Sequence, residues 1–124
     1  MNRSHHRLEV WQLSMNLVEQ IYAMTQGFPA EEKFGLTNQM RRAAVSIPSN
    51  IAEGSAKGSK KEFCRFLLIA RGSLMELETQ IEISERLSLA PKQSNVLDLL
   101  NTIFAKLNGL IKSLQDDGRL TSYV

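Results

Sequence analysis

Few residues of this 124-residue chain have the type and spacing to do chemistry. Cys64 is the single cysteine, and no histidine lies near it in sequence. A thiol becomes a nucleophile only beside a base or where its pKa is lowered. The two histidines, His5 and His6, are adjacent, with no further Cys, His or carboxylate at ligand spacing. Glu76, Glu78 and Glu82 place carboxylates on one segment, yet no Glu-x-x-His pattern accompanies them as a di-iron bundle requires. Gly54 to Ser59, GSAKGS, lacks the spacing of a phosphate-cradling glycine loop. The expectation is therefore no catalytic residue, no metal site, no cofactor and no enzymatic activity.

Charge is more informative. The chain as a whole is only +2, so no global basic character demands a nucleic-acid partner. Locally the balance is uneven. From Lys33 to Arg71, eight basic residues face only Glu53 and Glu62, a net +6. From Gly72 to Leu89, Arg86 faces four glutamates, a net −3. Arg41, Arg42, Lys57, Lys60, Lys61 and Arg65 are the candidate phosphate contacts, and Lys57, Lys60 and Lys61 sit where one helix ends and the next begins. That N-terminus adds backbone donors favourable to phosphate. A solubilising basic loop is the alternative, and no aromatic stacking platform accompanies these cations in the sequence.

The elements that must position them read as helices. Leu36, Met40, Ala43 or Ala44, Ile47 and Ile51 recur at spacings of three and four, and the phase runs through Pro48. A proline inside a helix removes one donor and crowds the carbonyl four residues back. Either the helix stops at Ile47 and restarts or it continues with a kink, and the unbroken stripe favours the kink. Ser46, Asn50 and Glu53 share one polar face; they contact a neighbouring helix or subunit, or they are simply solvated. Gly54 and Gly58 read as stop signals.

The other helices follow the same logic. Val10, Leu13, Leu17, Ile21 and Met24 mark one over about 6–26, ended by Gly27-Phe28-Pro29, while residues 1–6 read as frayed. Phe28 and Phe34 read as plugs for the bundle end. Ser59-Lys60-Lys61-Glu62 fits a capping box opening a helix over 59–88. Its seam is Phe63, Leu67, Ala70, Leu74, Leu77, Ile81 and Ser84. Five consecutive apolar residues, Phe66 to Ala70, exceed one stripe, so Phe66, Leu68, Ile69, Gly72 and Ser73 are the candidate oligomer interface. Pro91 is placed at the start of a helix over 91–114, carrying Val96, Leu100, Ile103, Leu107, Leu110 and Leu114. Residues 115–124 lose the pattern and read as a loose tail. Four amphipathic helices with short connections predict a single all-α domain, an antiparallel up-down-up-down four-helix bundle. No apolar run approaches the ~18 residues of a bilayer span, and the N-terminus has no apolar signal core. One unpaired cysteine suits a reducing compartment, so a cytoplasmic protein without a membrane partner is expected.

The run Gln39 to Gly54, QMRRAAVSIPSNIAEG, resembles the signature of the bacterial four-helix bundle proteins, also named after the intervening sequences of 23S ribosomal RNA genes. Val10-Trp11-Gln12, Phe28-Pro29, Glu62-Phe63 with Phe66-Leu67, and Gly72-Ser73 before Glu76-Leu77-Glu78 resemble it too, over about residues 8–114. The resemblance implies a ring-like homopentamer, and kinship with accessory proteins of diversity-generating retroelements, which work with a reverse transcriptase and nucleic acid. It implies no established activity. Two expectations follow: an oligomeric adaptor for RNA, DNA or a nucleic-acid-processing protein, or a structural ring with no nucleic-acid ligand.

Overall fold

The computed structural model describes residues 3–92 and 94–122. Four helices account for most of them: α1 Glu9–Gln26, α2 Leu36–Ser55, α3 Lys60–Arg86 and α4 Ser94–Ser122, with no strand among the described residues. Each helix packs on two others, α1 and α3 each contacting α2 and α4. One apolar core runs through all four, with Leu17, Ile21, Met40, Ile47, Ile51, Leu67, Leu74, Leu77, Ile81, Leu100, Ile103 and Leu107 fully buried. These are the residues of the three-and-four spacing, as expected where one face of each helix turns away from water.

A polar clamp accompanies each contact between neighbouring helices. Arg41 donates from Nε to Thr25 Oγ1 at 2.9 Å, joining α2 to α1. Ser46 Oγ and Ser73 Oγ lie 2.8 Å apart between α2 and α3. Arg71 donates to Asn108 Oδ1 at 2.9 Å between α3 and α4. Lys106 and Glu9 pair at 3.0 Å between α4 and α1.

α2 is continuous through Pro48, which is buried. Of the two ways to accommodate that proline, the chain takes the unbroken helix. Nearby, Asn50 Nδ2 donates to Ser46 O at 2.8 Å and to Ser46 Oγ at 3.0 Å. Ser46 is thereby held between its own helix and α3.

Gly54 is the last residue but one of α2, and it does more than mark the end of the helix. It lies inside the helix, buried, and a Cβ there would stand 2.6 Å from Phe66 Cβ and 3.1 Å from Phe63 Cδ1. The glycine is there so that α2 and α3 can approach closely. The turn falls instead at Gly58, whose φ of +80° suits a residue without a side chain. Phe66 is correspondingly 7% exposed, packed inside its own chain, so it is not part of a subunit interface.

Several ends differ from their expected places. Residues 4–7 are not frayed: Ser4–Arg7 forms a 3-10 turn that contacts α2. The Arg3 amide donates to His6 Nδ1 at 2.9 Å, and Gln12 Nε2 donates to His6 O at 2.7 Å. Both imidazoles pack on Trp11, with ring centroids 5.0 and 5.1 Å away. Lost hydration, with His6 and Arg3 nearby, pushes the His5 imidazole below its usual pKa. Regular α-helix thus begins at Glu9 rather than at residue 6.

α3 ends in a Schellman turn. The amide of Leu89 reaches Ser84 O at 2.9 Å and that of Ser88 reaches Glu85 O at 3.1 Å. Ser88 takes the left-handed conformation, φ 57°. Pro91 follows this cap, where a residue unable to continue a helix is common, and α4 opens three residues later at Ser94. At the far end α4 runs on to Ser122, past the expected stop at residue 114. Losing the apolar pattern removes packing but not helical hydrogen bonding, which adds a bond for each residue fixed. The last two residues of the expected tail, 123–124, lie outside the described residues.

Phe28 is 8% exposed and closes the end of the core, whereas Phe34 is 87% exposed and plugs nothing. Leaving such a ring in water forgoes roughly 1.5–3 kcal/mol of burial.

Two substitutions test these readings. Gly54→Ala is expected to destabilise by roughly 1–3 kcal/mol through overpacking, outweighing its gain of about 1 kcal/mol in helix propensity. A denaturant midpoint that rises would contradict the close approach. Ser88→Gly is expected to stabilise by about 0.5–1 kcal/mol, because glycine enters the left-handed region without steric cost. Thermal unfolding would show a melting point higher by a few degrees.

Candidate nucleic-acid interface

The basic residues singled out in the sequence fall into two groups. Lys57, Lys60 and Lys61 are exposed at the turn between α2 and α3, with Arg65 one turn further along α3. Arg41 and Arg42 lie nearer the other end of α2. Sixteen residues of helix and turn separate Arg41 from Lys57, roughly 24 Å at helical rise.

The turn is well built. The Ala56 amide bonds Glu53 O and the Lys57 amide bonds Gly54 O, both at 3.2 Å. Gly58 reverses the chain, and Ser59 caps α3 by accepting the Glu62 amide on Oγ at 3.1 Å. That is the first half of the expected capping box. The Glu62 carboxylate turns to Arg65, which binds it with two donors, at 2.9 and 3.3 Å. The pairing holds Glu62 below the usual carboxylate range, chiefly through the Arg65 hydrogen bond, and raises Arg65 in turn. Since the Glu62 pKa is depressed, the pair persists above the ordinary carboxylate range and is lost as pH falls through the folded-state value. Acidification therefore frees Arg65 and makes this end more positive. Arg65 is thus partly neutralised at neutral pH.

Phe66 sits beneath these cations, with Lys57 Nζ 5.2 Å and the Arg65 guanidinium 4.6 Å from its ring centroid. It positions them by cation–π attraction and is too buried to stack on a ligand.

Arg41 is half-buried and committed. Besides its bond to Thr25 it donates from Nη2 to Tyr22 O at 3.3 Å, and its guanidinium lies 4.4 Å over the Tyr22 ring. Arg42 is exposed beside a cleft of about 330 Å³ shared with Ser46, Ser73, Glu76 and Gln80. The sequence showed no aromatic near these arginines because Tyr22 belongs to another helix; only the packing of α1 on α2 brings them together.

The remaining candidates divide cleanly. Ser46 makes the inter-helix contact to Ser73, so Ser73 too is engaged within the chain. Asn50 supports Ser46. Glu53 is exposed and acts on Arg65 through charge. Leu68 and Ile69 are 39% and 42% exposed, and a Cβ on Gly72 would meet nothing. Ile83, at 41%, continues that outward face of α3 and was absent from the sequence-based interface.

Among the described residues no group of three or more His, Cys, Asp or Glu side chains could hold a metal ion. Among them too, no helix is long and apolar enough to cross a membrane.

The family model described as 23S rRNA-intervening sequence protein matches residues 6–109, which takes in α1, α2, α3 and just over half of α4. No curated protein matches the chain.

Proposed function

The chain belongs to the 23S rRNA-intervening sequence protein family, and from that premise we propose that it is a non-enzymatic, cytoplasmic, homo-oligomeric adaptor that grips nucleic acid, or a nucleoprotein, by its phosphates. The observation that carries this is the turn between α2 and α3, where Lys57, Lys60 and Lys61 are all exposed on a rigid, capped support. Lysines so placed attract phosphate without reading sequence, and they release counterions on binding. Several copies in one assembly multiply a modest charge by avidity.

Self-association is supported by a separate observation. Leu68 and Ile69 lie exposed on the outer face of α3 beside the open surface of Gly72, and Ile83 is exposed further along that face, beyond Glu76 and Thr79. An apolar face of this kind on a charged helix suits a neighbouring copy. A pentamer is the assembly that the sequence resemblance implies. The competing reading, a structural ring with no nucleic-acid ligand, shares this interface and differs only at the lysines.

Two measurements separate these. Reversing Lys57, Lys60 and Lys61 to glutamate is expected to weaken binding to a labelled duplex by about 10-fold or more while leaving particle size unchanged. Loss of the oligomer instead would make the lysines an assembly surface. Light scattering of the unaltered protein is expected to give about five times the 14.0 kDa chain mass. Leu68→Glu with Ile69→Glu is expected to bring it down to a single chain, and a monomeric parent protein would contradict the interface.

A further inference from the structure

We infer that the end of the bundle opposite the lysine turn holds unpaired nucleotides, with Tyr22 and Phe34 stacking on bases, Lys33 and Arg42 contacting phosphates, and Arg41 backing the Tyr22 ring. The inference rests on the nucleic-acid reading above and narrows that end's ligand to single-stranded segments.

Three observations carry it. Phe34, in the connection between α1 and α2, is the most exposed large apolar side chain among the described residues, and Lys33 Nζ lies 5.5 Å from its ring centroid. Tyr22 is 43% exposed with the Arg41 guanidinium on its ring. Arg41 is held by Thr25 and by the Tyr22 carbonyl, so the stack is pre-formed. The third observation is the space around it. A cleft of about 700 Å³ is lined by Tyr22, Thr25, Lys33, Thr37 and Arg41. Another of about 530 Å³ shares Tyr22 and Arg41 and adds Asn38, Arg42 and Val45. Lys33 thus belongs both to the larger cleft and to the Phe34 ring, and the Tyr22–Arg41 stack belongs to both clefts.

The alternation of ring and cation decides the ligand. Single strands are bound by aromatic faces for the bases and positive groups tracking the backbone. A duplex keeps its base faces stacked and has nothing to offer Phe34. An apolar protein surface would gain from the rings but would have to desolvate Lys33 and Arg42. The charge here is mild. Glu31 is exposed in the same connection, and Glu32 accepts the Leu36 amide at 3.2 Å where α2 opens. Stacking therefore supplies most of the affinity at this end, and it responds less to salt than the lysine turn does.

The test uses the full chain and fluorescence anisotropy with labelled oligo(dT), oligo(U) and a duplex of the same length. Phe34→Ala and Tyr22→Leu are each expected to weaken single-strand binding about 5- to 100-fold. Duplex binding, particle size and melting profile are expected to stay as they were. Equal loss on single strand and duplex, or no loss on either, overturns the inference. A smaller particle with Phe34→Ala overturns it as well and assigns the ring to a subunit contact. If the duplex still binds, and releases on reversal of Lys57, Lys60 and Lys61, the broader proposal survives that failure. If the unaltered protein binds neither form, both fall.

Discussion

The close approach of α2 to α3 at Gly54 is the constraint on which the other features depend. Only a residue without a side chain lets the Phe66 Cβ come within 2.6 Å of where a Cβ would stand. From that contact follow the burial of Phe66 and the seating of Lys57 and Arg65 above its ring. The same seam, nineteen Å or so further along at helical rise if followed from Gly54 to residue 41, reaches the Arg41 region through the Ser46–Ser73 hydrogen bond. One tight helix pair thus sets the lysine turn at one end and fixes the register of the arginines toward the other.

This arrangement gives the bundle two chemically different ends. The turn between α2 and α3 is a cluster of exposed ammonium groups on a capped helix N-terminus, with Arg65 held in reserve by Glu62. The connection between α1 and α2 is less charged and carries exposed aromatic rings against cations. Between them the outer face of α3 is apolar at Leu68, Ile69 and Ile83.

Much of the fold was legible because helical periodicity is a strong signal. The apolar stripe marked α2 from Leu36 through Ile51 despite Pro48, and Ser59 marked the start of α3. What the sequence hid was spatial. Gly54 looked like a stop because glycine often ends helices, and only the neighbouring Phe63 and Phe66 reveal its packing role. Phe66 looked like interface because five consecutive apolar residues do not say which of them the glycine admits. Phe34 looked like a plug, but Phe28 had already taken that place. The run of α4 beyond residue 114 was hidden because periodicity reports the packed face and not the helix itself. Of the site, the lysine turn was readable from local charge. The Tyr22–Arg41 stack was not, since its members are nineteen residues apart.

We propose that this bundle holds nucleic acid by phosphate contacts at Lys57, Lys60 and Lys61. The most direct measurement is the dependence of duplex affinity on salt concentration. Three lysines engaging phosphates on one copy predict a log–log slope of about −3, steeper if several copies bind together. A flat dependence, or no measurable binding at low salt, would contradict phosphate contact at these lysines.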